Sequence, residues 1–171
     1  MQEKAAHIKL LILDVDGVLT NGLLYYGNQD FLIRAFHIHD GLGIKLLQKA
    51  GIPVAIISAK QSEAVSKRLQ DLNVEHIFLG FEDKRPAYQA IKTKLALADH
   101  EIAYMGDDLP DLSILKQVGL SATVPDAPAI ITQAVDYVTK KNAGVGAVRE
   151  LCELILHAQH KFDSVIESYL A

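Results

Sequence analysis

Short, nearly continuous apolar runs recur along this chain, separated by longer segments in which apolar residues have helical spacing. A short apolar run with few polar interruptions is typical of a strand that is buried on both faces of a parallel sheet. The pattern therefore predicts strands at 8–13, 53–58, 75–79, 102–105 and 120–123, with a shorter last strand at 136–138.

The segments between these runs predict helices at 41–50, 62–72, 85–98 and 110–118. From Gly146 onward, apolar residues at helical spacing predict one more amphipathic helix, whose apolar face carries Val148, Leu151, Cys152, Ile155 and Leu156. Strands that alternate with helices favour right-handed crossovers. We therefore predict an α/β fold, a doubly wound (Rossmann-like) parallel sheet with helices on both faces, in a single domain over residues 1–171.

One segment departs from this alternation, directly after the first strand. Residues 23–26 and 31–38 are rich in β-forming residues and flank a turn at 27–30, which predicts a β-hairpin. The hairpin is too short to be a separate cap domain, so the fold is expected to be capless. Its apolar side chains need a partner to cover them, which favours an oligomer.

Composition excludes several classes of protein. Half of the 171 residues are hydrophobic, and the formal net charge of −4 offers no basic excess for nucleic acid. No run reaches the roughly 18 apolar residues of a membrane span. Residues 1–9 lack the apolar stretch of a signal peptide, and a single cysteine allows no disulfide framework. A cytoplasmic location is the simplest interpretation.

Two carboxylates, Asp14 and Asp16, directly follow the first predicted strand and precede Gly17. In open α/β sheets, ligands bind at the carboxyl ends of the strands. Buried acids also cost free energy unless they are paired or bound to a metal. The alternative interpretation is an acidic turn in which Asp16 and Gly17 are turn residues.

A second acidic cluster, Asp107, Asp108 and Asp111, follows the strand at 102–105. Carboxylate oxygens are ligands that suit Mg²⁺. Acids also favour the beginning of a helix, and a helix cap would account for one of the three.

Ser58 and Lys84 complete the set of candidates. Ser58 ends the strand at 53–58, where a hydroxyl and the amides that follow it could bind phosphoryl oxygens. Lys84 precedes a predicted helix. Taken alone, a serine at this place is usually a turn or cap residue, and a lysine is usually solvated.

The order of these features resembles the haloacid dehalogenase-like phosphatase superfamily over most of the chain. The resemblance implies that Asp14 is the nucleophile that forms an aspartyl-phosphate and that Asp16 is the general acid and base. It implies that Ser58 binds the phosphoryl group and that Lys84 steadies the charges. It also implies a Mg²⁺ site made by Asp14, Asp107 and the main-chain carbonyl of Asp16, with Asp108 and Asp111 in support.

Four stretches, at 14–20, 36–47, 104–111 and 144–150, resemble more closely the 3-deoxy-D-manno-octulosonate 8-phosphate (KDO 8-phosphate) phosphatases. This resemblance implies a phosphorylated sugar acid as substrate. It also implies a homotetramer whose hairpins form a central barrel, with a neighbouring subunit and the C-terminal tail closing each site.

Two positions depart from that family's usual pattern. The triplet Ser58-Ala59-Lys60 stands where the family usually has Thr/Ser-Gly-Arg, and Val145 stands where it usually has an arginine. Lysine cannot reproduce the bidentate fork with which arginine holds a carboxylate. The candidates to meet the sugar-acid carboxylate are then Lys60, Arg68 and Arg149. A related nine-carbon sugar-acid phosphate, or sugar phosphates in general, remain alternative substrates.

Two non-enzymatic classes share part of the pattern. A phospho-receiver domain has an acid pair after its first strand, but it needs an Asp after its third strand. The strand taken as the third here ends at Ser58. A catalytically silent regulatory module is the other alternative, although the core catalytic residues are all present.

His37 and His39 alternate along a predicted strand as a pair of metal ligands would. No carboxylate or cysteine accompanies them at a matching spacing, so packing or a subunit contact is the favoured interpretation. Cys152 is expected to be a small core residue on the last helix.

Overall fold

The computed structural model describes residues 1–25, 33–167 and 169–170, and its centre is a six-stranded sheet in which every pairing is parallel. The strand order is β3-β2-β1-β4-β5-β6. The strands are β1 (Leu10–Leu13), β2 (Val54–Ser58), β3 (His76–Leu79), β4 (Ile102–Met105), β5 (Leu120–Thr123) and β6 (Tyr137–Val138). All six predicted strands are confirmed. The described residues of the hairpin do not join the sheet, and the strand that ends at Ser58 is the second strand of the sheet along the chain rather than the third.

The described helices cover both faces of this sheet. They are α1 (Gln2–Ala6), α2 (Ile38–Lys49), α3 (Glu63–Asp71), α4 (Arg85–Leu95), α5 (Leu112–Leu115), α6 (Ala129–Thr132), α7 (Ala147–Ala158) and α8 (Phe162–Glu167). Two 3-10 turns, Asp99–Glu101 and Leu109–Asp111, lie between them. The helix predicted at 110–118 is shorter than expected, because a 3-10 turn takes up its beginning. None of the helices described combines the length and apolar character needed to cross a bilayer.

Alternate residues of β1 contribute to two hydrophobic clusters. Leu11 and Leu13 belong to the larger cluster, which also contains residues of α1, α2, α3, α7 and α8. Leu10 and Ile12 belong to the other, with residues of α4, α5 and α6. The predicted doubly wound architecture is therefore confirmed, and Cys152 lies fully buried in the larger cluster as expected.

The predicted hairpin lies partly outside the described residues. Its two arms meet in an antiparallel bridge between Tyr25 and Ile33, and the predicted turn at 27–30 lies outside the described residues. The prediction of strand as far as residue 38 is wrong, because residues 34–37 form no strand and α2 begins at Ile38. His37 caps that helix, with its Nδ1 atom accepting a hydrogen bond from the amide of His39 (3.3 Å).

A buried carboxylate joins α2 to the beginning of α7. Asp40 accepts hydrogen bonds from the amides of Gly146 (3.2 Å) and Arg149 (2.8 Å), and it is almost fully buried. Gly43 allows close packing here, because a Cβ atom at this position would lie 2.9 Å from the Cα atom of Arg149. Burial raises the pKa of Asp40. Two of the stretches that carry the family resemblance are therefore in contact with each other.

The chain after α7 packs at the opposite end of the sheet from the carboxyl ends of the strands. The side-chain amide of Gln159 donates to the carbonyls of Ala5 (3.2 Å) and Ile8 (2.7 Å), just before β1 begins. His160 has a positive φ of 55°, which ends α7 and lets α8 turn back against the core.

We predict that Asp40→Ala destabilises the protein by about 2 kcal/mol, because the variant leaves buried amides of α7 without an acceptor. Urea unfolding measures this change. Asp71→Ala, at an exposed position on α3, is the control and should shift the free energy of unfolding by less than about 0.5 kcal/mol. Equal effects of the two substitutions would contradict a role of Asp40 in holding α2 against α7.

Candidate active site

The acidic residues converge where β1 and β4 lie side by side. Successive strands lead away from this pair in opposite directions, which makes it the topological switch point of the sheet. Asp14 follows the last residue of β1 and its amide donates to the carbonyl of Met105 (3.0 Å), the last residue of β4. The two acidic motifs therefore emerge next to each other.

Three carboxylates from these motifs come together. Asp14, Asp107 and Asp111 each offer one oxygen atom, and these oxygens all lie within 4.8 Å of one another. Lys84 reaches the same place from the beginning of α4. Its Nζ atom lies 2.8 Å from Asp14 Oδ2 and 2.6 Å from Asp111 Oδ1. Residues that are distant along the chain thus form one cluster, as the motifs predicted.

Lys84 is charged in this position although it is only 2% exposed. Burial by itself would lower the pKa of its ammonium group, but the charges of Asp14 and Asp111 outweigh that effect and raise the pKa. The alternative interpretation of Lys84, a solvated lysine at the surface, is therefore wrong.

Asp111 braces the loop after β4. Its Oδ1 atom accepts hydrogen bonds from Lys84 and from the Tyr104 hydroxyl, and its Oδ2 atom accepts from the amides of Asp107 (3.1 Å) and Asp108 (3.2 Å). Asp108 is exposed and accepts from the amide of Leu109 (2.8 Å). The helix-cap interpretation therefore fits Asp108, and Asp111 completes a capping box with it, but it does not account for Asp107.

Gly17 makes room for the second acidic motif. Its φ of +86° favours glycine, and a Cβ atom at this position would lie 2.0 Å from Oδ2 of Asp107. The turn after Asp16 can therefore approach the loop after β4 only with a glycine at residue 17.

The charges of this cluster do not balance. Three carboxylates and one ammonium group carry two net negative charges when all are ionised, which is the charge that one divalent cation neutralises. Burial raises the pKa of Asp14 to about 6, although Lys84 opposes this rise. Burial and the charges of Asp14 and Asp111 raise the pKa of Asp107 to about 7. Oxygen ligands in such an arrangement fit Mg²⁺.

The comparisons with known proteins agree with this geometry. A family profile described as haloacid dehalogenase-like hydrolase matches residues 76–151. The chain is 44% identical to the 3-deoxy-D-manno-octulosonate 8-phosphate phosphatase of Escherichia coli (strain K12), over 94% of this chain and 85% of that protein. The chain belongs to this family of haloacid dehalogenase-like hydrolases. Its assignment as a phosphoric monoester hydrolase is thereby confirmed.

Two solved structures of this family have closely similar folds. The 3-deoxy-D-manno-octulosonate 8-phosphate phosphatase of Moraxella catarrhalis, in complex with a magnesium ion, a phosphate ion and KDO, matches with a TM-score of 0.95 and 41% identity, over 98% of this chain and 97% of that one. The enzyme of Yersinia pestis matches with a TM-score of 0.93 and 42% identity, over 95% and 88% of the two chains.

A cavity of about 450 Å³ opens over the carboxylate cluster. Ser58 lies in its wall at the end of β2, and its hydroxyl accepts a hydrogen bond from the amide of Lys60 (3.3 Å). Leu24, from the first arm of the hairpin, lines the cavity as well. In this member of the phosphatase family, the predicted candidates Asp14, Asp16, Ser58, Lys60, Lys84, Asp107, Asp108 and Asp111 all line one cavity.

The other two predicted sugar-acid contacts do not line that cavity within the described chain. Arg68 lies beneath α2, where it donates to the carbonyl of His37 (3.4 Å). Arg149 pairs with Glu153 on α7 (2.6 Å). Both guanidinium groups therefore lie beside α2 and α7 rather than at the carboxylate cluster, and their role in substrate binding stays a prediction.

Arg34 is a cavity residue that the sequence analysis did not find. Its Nε and Nη2 atoms donate to the two oxygens of Asp16, at 2.8 and 3.0 Å. It belongs to no motif and falls inside the segment predicted as a strand, so the only signal was a charged residue in an otherwise apolar run.

We predict that Asp107→Asn stabilises the metal-free protein by about 1–2 kcal/mol at pH 8, because it removes a buried negative charge from an unbalanced cluster. The pKa of Asp107 is raised when the protein is folded, so its destabilising charge appears as the pH rises through about 4 to 7. The gain should therefore shrink at pH 5. Urea unfolding with EDTA measures both values.

The matched control for this prediction is Asp108→Asn, since Asp108 is the exposed neighbour and Asn keeps the helix cap. It should change the stability much less. A loss of stability in Asp107→Asn at pH 8 would contradict the charge imbalance.

Proposed function

We propose that this phosphatase hydrolyses 3-deoxy-D-manno-octulosonate 8-phosphate to KDO and phosphate, with Mg²⁺ and an aspartyl-phosphate intermediate. The observation that carries the proposal is the placement of the Asp14 carboxylate, 2.8 Å from buried Lys84 and beside Asp107, in the floor of a cavity. The substrate is supported by the relatives named above, which act on this sugar acid or hold KDO in complex.

Asp14 is the proposed nucleophile. One of its oxygens accepts from the amide of Val15 (2.7 Å), and the other is bound to Lys84 (2.8 Å), so the carboxylate is fixed at the bottom of the cavity. A carboxylate that attacks a phosphate monoester must overcome repulsion between like charges. Lys84 reduces that repulsion, and the covalent intermediate divides one difficult displacement into two easier ones.

The carboxylates of Asp14 and Asp107, with the main-chain carbonyl of Asp16, are the proposed holders of the metal. Mg²⁺ bound there would neutralise the phosphoryl oxygens and the excess negative charge of the site. Asp111 braces the loop instead, because both of its oxygens already accept hydrogen bonds from Lys84, Tyr104 and two amides.

Asp16 is the proposed general acid and base. It is the less buried of the first two acids, with 29% of its side chain exposed, and it lines the cavity. In the first step it would protonate the leaving alkoxide, and in the second it would take a proton from the attacking water. Ser58 and the amides that follow it are proposed to bind the phosphoryl oxygens.

Lys60 is the proposed contact for the sugar-acid carboxylate. Lys60 is exposed and lines the cavity beside Ala59. Arg68 and Arg149, in contrast, lie outside the cavity of their own chain. Because an ammonium group is a point charge and not a planar fork, selection for a sugar acid is expected to be weaker than an arginine would give. A nine-carbon sugar-acid phosphate therefore remains a second candidate substrate.

The non-catalytic alternatives have little support. A phospho-receiver needs an Asp after its third strand, and β3 ends at Leu79, which Gly80 follows. A silent regulatory module would not need the complete set of Asp14, Asp16, Lys84 and Asp107 around one cavity.

A homotetramer and a cytoplasmic location are further parts of the proposal. Leu23, Leu24, Tyr25 and Ile33 form an exposed apolar group at the base of the hairpin, each about half exposed or more. A group of this kind favours contact with another subunit. For the location, the supporting observation is that the sequence has a single cysteine, Cys152, and therefore no intrachain disulfide.

We expect a panel of phosphorylated sugars and sugar acids, assayed by phosphate release with Mg²⁺, to show the highest kcat/KM with KDO 8-phosphate. EDTA should stop the reaction and added Mg²⁺ should restore it.

Asp14→Asn should lower kcat by at least about a thousandfold while its thermal unfolding stays cooperative. Asp71→Asn, at an exposed position on α3 that does not line the cavity, is the matched control. Substantial turnover by Asp14→Asn would eliminate the covalent route.

Light scattering should give a mass of four times the 18.7 kDa chain. Ile33→Glu places a charge in the exposed apolar group of the hairpin and should shift the population toward smaller species. Ile130→Glu is the control, since Ile130 on α6 is as exposed as Ile33 (52% against 54%) but lies outside that group. A wild-type protein that is monomeric at micromolar concentration would refute the tetramer.

A further inference from the structure

Arg34 and Asp16 form a two-point ion pair at the edge of the cavity. The Nε and Nη2 atoms of the guanidinium group each donate to a different oxygen of Asp16, at 2.8 and 3.0 Å. A fork of this kind fixes the plane and direction of a carboxylate as well as attracting its charge. Each carboxylate oxygen keeps a second acceptor position, so the pair leaves Asp16 able to exchange protons with a group in the cavity.

The other contact of the Asp16 side chain is weak. The Thr20 hydroxyl lies 3.4 Å from Asp16 Oδ1, at the outer limit of a hydrogen bond, and the same hydroxyl also meets the Val15 carbonyl and the Gly17 amide at 3.4 Å. A partly exposed carboxylate on a turn would sample several rotamers with such a contact alone. Among the described residues, Arg34 is therefore the group that holds Asp16 in one direction.

Arg34 itself is held firmly. Its side chain is only 3% exposed, and it lies directly after the Tyr25–Ile33 bridge and shortly before α2. Its third nitrogen, Nη1, is buried without a hydrogen-bond partner among the described residues.

We propose that Arg34 is the positioning residue for the general acid and base. This inference rests on the proposed function, since it assigns Arg34 a role only through Asp16. Two of its nitrogens face Asp16 and the third is buried, so in this arrangement the guanidinium acts on Asp16 and not on the substrate. Correct orientation of a general acid increases the reaction rate most when the leaving group is a poor one.

Arg34→Gln tests the proposal because it removes the fork and keeps a polar side chain. For KDO 8-phosphate, whose leaving group is an alkoxide, kcat/KM should fall by about 10- to 100-fold. For 4-nitrophenyl phosphate, whose leaving group needs no proton, kcat/KM should fall by less than about threefold. Arg34→Lys keeps the charge and should recover part of the loss.

Two further measurements separate positioning from substrate binding and from a general defect. The inhibition constant for free KDO should be unchanged in Arg34→Gln, whereas a guanidinium that binds the sugar-acid carboxylate would make it rise. Arg85→Gln removes an exposed guanidinium that pairs with Asp83 (2.8 Å) and should leave both substrates unaffected.

Equal losses for the two phosphate esters, or a weaker inhibition by KDO, would overturn the positioning role. Failure of the proposed function itself has a different signature. In that case the wild-type protein would not release phosphate from either ester, or Asp16→Asn would retain full activity toward KDO 8-phosphate.

Discussion

The ion pair of Lys84 with Asp14 and Asp111 is the interaction on which the rest of the site depends. Lys84 is buried at the beginning of α4, and one ammonium group serves two carboxylates from two different strand ends. Removing one partner of such a buried group leaves an uncompensated charge, which is far more costly than a lost surface contact. The same ammonium group holds the carboxylate of Asp14, the proposed nucleophile, and through Asp111 it holds the loop after β4. Lys84 therefore both stabilises the local structure and sets the geometry of the proposed active site.

The sheet topology makes that interaction possible. β1 and β4 are neighbours although 88 residues separate the end of β1 from the beginning of β4, because the strand order reverses between them. The amide of Asp14 donates to the carbonyl of Met105, and Gly17 lets the turn after β1 approach Asp107. Gly106 leaves room for the side chain of Asp111 within the loop after β4. The cluster is left with excess negative charge, and burial together with the charges of Asp14 and Asp111 raises the pKa of Asp107. A divalent cation would neutralise this excess negative charge, which the packing of the surrounding side chains leaves in place.

Most of the fold and the centre of the site were predictable from the sequence, because both follow from local patterns. Buried parallel strands are continuous apolar runs, and Asp14 and Asp107 come at the ends of two such runs, so these acids were found by position. Lys84 was assigned through the family resemblance, since a lysine before a helix is usually solvated. Arg34 was not, since its partner Asp16 is 18 residues away and no period or motif links the two. The beginning of α2 was missed for a related reason. His37 caps this helix through its own side chain, and the β-branched residue Ile38 gave a strand signal instead.

The position of Arg34 connects the hairpin, where another subunit would bind, with the active site, which has no cap domain. The residue follows the bridge at the base of the hairpin, and its guanidinium reaches Asp16 in the cavity. The exposed apolar group of the hairpin lies on that same segment, whereas α8 and the end of the chain pack at the far end of the sheet. A subunit that covered the hairpin would therefore restrain the base of Arg34, and through it the direction of Asp16. On this argument, subunit contact and acid–base chemistry would be coupled through a single side chain.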